Sequence, residues 1–147
     1  MGSGVRIRDS RPGEAAALEA LQHRAVATWT EYREQLEQHR GALAIPHAWI
    51  DEGRIRVAED DSGRPVGFAV VVANDLDSVY VDPDASQKGI GRSLVEDAAA
   101  GAKQAGSSTL NVSAIAGSQA FYERLGFEPG EAVPSRFGTG VRMRLRL

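Results

Sequence analysis

No cysteine occurs among the 147 residues, which excludes disulfides, thiolate metal sites and a cysteine nucleophile, and suits a reducing cytoplasm. No apolar run approaches ~18 residues, and the opening Met1-Gly2-Ser3-Gly4-Val5-Arg6 has neither the apolar core of a signal peptide nor Ser or Thr at the myristoylation position. A soluble, cytoplasmic protein without a membrane partner is therefore expected. Basic charge is also not in excess. With Lys+Arg 17 against Asp+Glu 20, a net charge of −3 does not supply the concentrated basic surface that releases counterions from a phosphate backbone, so no nucleic-acid partner is expected. Mild acidity would favour a cationic substrate, or it is ordinary solubility charge. His23, His39 and His47 lack i, i+4 spacing and an acidic partner pattern, so no metal is expected. Repeats, low-complexity tracts and interdomain linkers are absent as well. One domain over 1–147 is the reading, long enough to bury roughly two-thirds of its unfolded surface.

What is present is a regular alternation of patterns. Val5 to Arg8 alternates like a strand, and Arg11-Pro12-Gly13-Glu14 then opens a helix with Leu18, Leu21 and Ala25 on one face. A second helical stretch is read over about 30 to 40, leading through Pro46 to Trp49. Arg54 to Glu59 and Val66 to Ala73, separated by Asp60-Asp61-Ser62-Gly63-Arg64-Pro65, make a hairpin. Leu76 to Val81 is the next strand. A helix from Gly89 carries Ile90, Leu94, Val95, Ala98, Ala102 and Ala105 on its apolar side until Gly106 ends it, with Glu96 and Asp97 on its solvated side. Thr109 to Ser113 supplies a strand, a short helix surrounds Tyr122, and Val141, Met143 and Leu145 alternate with Arg142, Arg144 and Arg146 as in a half-buried terminal strand whose arginines are its wet face.

The densest signal is Val79-Tyr-Val-Asp-Pro-Asp-Ala-Ser-Gln-Lys-Gly-Ile-Gly-Arg-Ser-Leu94: a strand, a proline-marked turn, a loop with Gly89 and Gly91, and a helix start. Glycines at such a junction let backbone approach a ligand, and free N–H groups at a helix N-terminus bind anions, so a phosphate-bearing ligand is expected. Two common phosphate motifs fail here. A Walker loop needs Lys then Ser/Thr after its last glycine, whereas Arg92 and Ser93 follow Gly91. A dinucleotide fingerprint needs a third glycine where Leu94 stands and an acid near the position of Asn111.

What remains resembles the acetyl-CoA loop of the GNAT superfamily of N-acetyltransferases, Gln/Arg-x-x-Gly-x-Gly/Ala after a Val-x-Pro strand end. Here it reads Val81-Asp82-Pro83 and then Ser86-Gln87-Lys88-Gly89-Ile90-Gly91, with Ser86 where Gln or Arg is usual and Gln87 one place later. A second match lies downstream. Ala120-Phe121-Tyr122-Glu123-Arg124-Leu125-Gly126-Phe127 is similar to the family's Phe-Tyr-x-x-x-Gly-Phe signature, with Ser118 as an N-cap, Phe121 and Leu125 on one face, Gly126 at a left-handed C′ position and Phe127 closing a hydrophobic contact. The family often has Asn at the place of Ile115 and Ala at the place of Ser118. The resemblance covers nearly the whole chain. It implies an α+β fold, a GNAT-like mixed, mostly antiparallel central sheet flanked by helices.

It also implies acetyl-CoA as donor, with Val79 and Val81 offering the strand edge to the pantetheine arm. Ser86, Gln87, Lys88, Gly89, Ile90, Gly91 and Arg92 would lie at the pyrophosphate, Lys88 and Arg92 as flanking cations. The acceptor would be an amine, on a small molecule or a peptide, and a homodimer is common among relatives. An amine with a pKa of about 10.4 is mostly protonated at neutral pH, a penalty of roughly 4 to 5 kcal/mol, so a base must take that proton. Asp75 and Asp77 share strand parity with Val79 and Val81 and could face the same cleft; either is also readable as a solvated carboxylate. A strand N–H would stabilise the tetrahedral oxyanion, and Tyr122 stands where the family keeps the acid that protonates the leaving thiolate. Trp29, Glu31 and Tyr32 fall in the segment that lines the acceptor pocket in the family. A catalytically inactive acyl-CoA-binding module or regulator is the alternative reading, and a different nucleotide binder is a third.

Overall fold

The computed structural model describes residues 5–26, 45–115, 118–135 and 138–147; of these, the side chains of Ser86, Gln87, Lys88, Ser135 and Gly138 are outside the description. Seven strands form one sheet in the order β1-β2-β3-β4-β5-β7-β6: β1 Arg6–Asp9, β2 Ile55–Glu59, β3 Pro65–Val72, β4 Asp75–Val81, β5 Thr109–Ile115, β6 Glu128–Ser135 and β7 Gly138–Arg146. Every neighbouring pair is antiparallel except β4 with β5. That exception follows from connectivity. Short turns carry the chain from β2 to β3 and from β3 to β4, whereas β4 returns to β5 through the helix Ile90–Gln104, the kind of crossover that a parallel pair needs. The helices are α1 Ala15–Val26, α2 His47–Asp51, α3 Ile90–Gln104 and α4 Gln119–Arg124. The helical stretch read over about 30 to 40 lies outside the described residues, as do Trp29, Glu31 and Tyr32.

Each face of the sheet has its own core. On one side Ile90, Leu94, Val95, Ala98 and Ala102 of α3 pack with Ala69, Leu76, Leu110, Val112, Ala114, Tyr122, Phe127 and Met143. These are the i, i+4 and i+3 positions of α3 that the sequence pattern places on one stripe; Ala105, grouped with them in that pattern, is exposed one residue past the helix end. On the other side Leu18, Leu21, Ala25 and Val26 of α1 pack with Ile50, Ile55, Val57, Phe68, Val70 and Tyr80. Arg8 fixes α1 to the sheet edge, donating to Glu59 Oε2 at 2.7 Å and to Glu14 Oε2 at 2.7 Å. The β2–β3 hairpin is closed by Asp60, whose Oδ1 accepts from Ser62 N at 2.9 Å and Arg64 N at 3.0 Å, an Asx-type turn.

Candidate active site

The candidate site lies where the pairing of β4 and β5 is brief. They share only Asp75↔Asn111 and Leu76↔Val112, although β4 runs on to Val81 and β5 to Ile115. Past that point the edge of β4 facing β5 has no strand partner among the described residues, an edge whose main-chain donors and acceptors could pair with a ligand.

A β-bulge sits at the mouth of this opening. The β3 register jumps from Val70↔Ser78 to Val71↔Leu76, so Asp77 is the extra residue. The inserted residue inverts the alternation. Leu76 belongs to the core under α3, and beyond the bulge Val79 and Val81 pack there too, while Tyr80 turns to the α1 side. The parity expected from sequence is corrected accordingly: Asp75 does not share a face with Val79 and Val81, because the two stretches lie on opposite sides of the bulge. Asp77, at the bulge, is exposed and accepts from Ser78 Oγ at 3.3 Å. Asp75 is paired with Arg142 of β7, whose other Nη donates to Ser113 Oγ at 3.2 Å.

From Val81 the chain enters a 3₁₀ helix over Pro83–Lys88 and reaches Gly89, which adopts φ +70° as the N-cap of α3. A left-handed residue costs roughly 1 to 2 kcal/mol with a Cβ, and the space beside Gly89 is open, so glycine is needed there for conformation. Ser93 N donates to Gly89 O at 3.1 Å, which leaves the amides of Ile90, Gly91 and Arg92 ahead of the first intrahelical acceptor. Those three donors, the unpaired β4 edge and the opening between strands suit a diphosphate attached to an extended amide-bearing arm. Gly91 is also required by packing. A Cβ there would meet Phe121 Cζ at 3.3 Å and Val81 Cγ2 at 3.6 Å, so its missing side chain admits the Phe121 ring against the first turn of α3. Arg92 is exposed and pairs with Glu96 at 3.1 Å, a surface i, i+4 pair that leaves it free to exchange partners. Asp97 does more than solvate the helix, since it holds Arg56 at 2.9 Å.

Asp82, just before the 3₁₀ helix, is the residue that sequence reasoning passed over. Its carboxylate is 1% exposed. Oδ2 accepts from Arg24 Nη2 of α1 at 3.0 Å and from Arg64 Nη2 of the β2–β3 turn at 3.0 Å, and Oδ1 accepts from Asp84 N at 3.1 Å. Burial alone would raise its pKa, but the Asp84 amide and the two guanidiniums outweigh that and hold it below the usual carboxylate range. The local half of this arrangement is legible as Asp-Pro-Asp at a turn. Its partners, 58 and 18 residues away, are not.

Tyr122 lies on α4, which ends in a Schellman motif: Phe127 N donates to Tyr122 O at 3.1 Å and Gly126 N to Glu123 O at 3.0 Å, with Gly126 at φ +98°. Phe127 then stacks edge-on to Tyr122 with centroids 5.3 Å apart, as does Phe121 at 5.0 Å. Ser118 stands at the N-cap without capping; its Oγ donates back to Ile115 O at 2.7 Å. Tyr122 is 7% exposed, and burial, with a smaller effect of Tyr80, pushes its phenol up to about 12. It remains an O–H donor throughout the neutral range.

A family profile for the acetyltransferase (GNAT) domain matches residues 51–129. The chain belongs to the GNAT acetyltransferase family. It is 34% identical over 131 residues to the peptidyl-lysine N-acetyltransferase YjaB of Escherichia coli (strain K12), across 84% of this chain and 82% of that protein. YjaB of Salmonella typhimurium matches at 32% over 99 residues, which span 64% of either protein. Among solved structures, a GCN5-related N-acetyltransferase from Rhodopseudomonas palustris superposes with a TM-score of 0.85 at 23% identity, covering 100% of this chain and 98% of that one. The PaiA N-acetyltransferase of Thermoplasma acidophilum, solved with coenzyme A, gives 0.77 at 19% identity over 97% and 99%. These structural likenesses establish the fold. The mixed, mostly antiparallel sheet expected from the sequence is the GNAT sheet.

Within this GNAT fold, Val79, Val81, Gly89, Ile90, Gly91 and Arg92 gather along one path, from the open β4 edge to the first turn of α3. The backbone of Ser86, Gln87 and Lys88 lies on the same path. Asp75 and Asp77 sit where β4 and β5 part. Tyr122 reaches the core beneath that parting from α4.

Proposed function

We propose that the protein transfers the acetyl group of acetyl-CoA directly to a primary amine, within one ternary complex. The observation that carries this reading is the opening between β4 and β5, which runs from the bulge at Asp77 to the uncapped amides at the start of α3. The open strand edge would take the amides of the pantetheine arm, and the amides of Ile90, Gly91 and Arg92 the diphosphate. A β4 main-chain N–H is suited to the oxyanion that forms when the amine attacks the thioester carbon.

As the C–N bond forms and the C–S bond breaks, two protons must be managed. The amine's proton goes to Asp77 or to water held by it, Asp77 being exposed at the mouth where β4 and β5 part. The departing thiolate takes a hydrogen bond or a proton from Tyr122, whose raised pKa keeps its hydroxyl protonated. With no cysteine in the chain, a cysteinyl acyl-enzyme has no place in the reaction. The acceptor favoured is a lysine side chain in a peptide, in line with the activity named for YjaB.

The test is amine-dependent thiol release from acetyl-CoA over a panel of lysine peptides and small amines, alongside calorimetric CoA binding. Turnover is expected, with Tyr122→Phe lowering kcat by about 10- to 100-fold and leaving CoA affinity intact. Stoichiometric CoA binding without release on any amine would establish instead a binding module.

A further inference from the structure

Among the described residues, only half of the side of the sheet opposite α3 is covered. Helix α1 packs on β3 and β4, and among the described residues no helix crosses β5, β7 and β6 on that side. Leu110, Val112 and Ala114 of β5 and Met143 of β7 point into the α3 core, so Asn111, Ser113, Arg142 and Arg144 stand on the side opposite α3. They form two cross-strand rows. One runs Asp75↔Asn111↔Arg144↔Glu128 across β4, β5, β7 and β6; the next pairs Ser113 with Arg142. The first row starts at Asp75↔Asn111, one residue before the last paired position of β4 and β5, on the face away from Val79 and Val81.

Three details indicate a ligand on these rows. Asn111 Oδ1 is shielded from solvent and has no hydrogen-bond partner, an acceptor that lacks a donor. Arg142 is held ready by Asp75 and Ser113, one strand beyond Asn111 and Ser113. Arg144 is exposed and enters no salt bridge among the described residues, while Glu128, its neighbour in the row, lies 3.8 Å from Arg146 instead.

We propose that Asn111, Ser113, Arg142 and Arg144 form an acceptor subsite that selects a lysine with a carboxylate side chain adjacent to it in a peptide. This rests on the acetyltransferase reading above. The amine would enter at the parting of β4 and β5, where the exposed Asp77 stands. Arg142 and Arg144 lie two strands from β4, roughly 10 Å at about 4.8 Å per strand. A lysine side chain plus one Cα step of about 3.8 Å brings a neighbouring Asp or Glu to that distance. The peptide N–H between them supplies the donor that Asn111 Oδ1 lacks.

The experiment compares peptides that are identical except for Asp, Asn or Arg beside one lysine, with acetyl-CoA saturating. Wild type is expected to favour the Asp peptide over the Arg peptide by about three- to tenfold in kcat/KM, chiefly through KM, the size of one or two partly exposed ion pairs. Arg144→Gln should shrink that ratio and Arg144→Glu should invert it, with thermal melts establishing that both variants fold. Equal rates on the three peptides, or a wild-type ratio that survives in Arg144→Glu, would overturn the subsite and leave the acetyltransferase reading standing. CoA binding with acetylation of non-peptide amines only would reject the peptide acceptor, and this subsite with it.

Discussion

Replacing Asp82 by Asn removes one buried charge at the junction between β4 and the 3₁₀ helix while keeping its shape. Three contacts are at stake, from Arg24 and Arg64 at 3.0 Å each and from the Asp84 amide at 3.1 Å. Asn retains an oxygen for the amide but turns an NH₂ toward two guanidiniums. A hydrogen bond to a charged group contributes about 1.5 to 3 kcal/mol. The guanidinium side chains are 45% and 56% exposed and recover water when released, so each pair falls nearer the surface value of up to about 1 kcal/mol. The sum is about 2 to 3 kcal/mol, which for a domain of this length lowers Tm by about 4 to 12 °C. Because the folded-state pKa of Asp82 is depressed, its contribution is full above the unfolded carboxyl value of about 3.9 and is lost as pH falls through the folded value. Urea unfolding of the two proteins should thus show a gap at pH 7 that narrows on acidification. CoA affinity should weaken as well, since the same carboxylate fixes the start of the 3₁₀ helix. A gap below about 0.5 kcal/mol at pH 7, or one that stays constant with pH, would refute the argument.

Gly67→Ala places a Cβ 2.9 Å from Ile90 Cγ2 and 3.1 Å from Tyr80 O, so α3 must shift at its first turn; a loss of about 1 to 3 kcal/mol by chemical denaturation, with weaker CoA binding by calorimetry, is expected. Gly126→Ala forces a side chain into φ +98° and within 3.3 Å of Leu145 Cδ1, loosening the Schellman turn below Tyr122; thermal melts should show about 1 to 2 kcal/mol of destabilisation, and unchanged stability would contradict the capping role. The phenol of Tyr122, at about 12, should leave activity without an alkaline limb near 10, and an inflection there that vanishes in Tyr122→Phe would contradict its burial.

Local chemistry was readable in advance. The apolar stripe of Ile90, Leu94, Val95, Ala98 and Ala102 dictates a helix packed on one side, and Asp60 to Pro65 dictates a hairpin turn. Gly126 marks the left-handed position that ends one helix, a requirement of the residue and its immediate neighbours, whereas the left-handed φ of Gly89 at the start of α3 was not read from the sequence. Other features depended on residues distant in the chain. The bulge at Asp77 is a mismatch in length between β3 and β4, invisible in either strand alone, and it moves Asp75 to the face opposite Val79 and Val81. That Gly91 also makes room for Phe121, thirty positions on, is told by nothing in the sequence around it. Asp82 acquired its meaning only when α1 and the β2–β3 turn brought Arg24 and Arg64 to it. Periodicity and turn chemistry act over a few residues and are written in the chain, whereas a strand register, a buried ion pair and the parting of β4 from β5 arise from which segments meet, and only folding decides that.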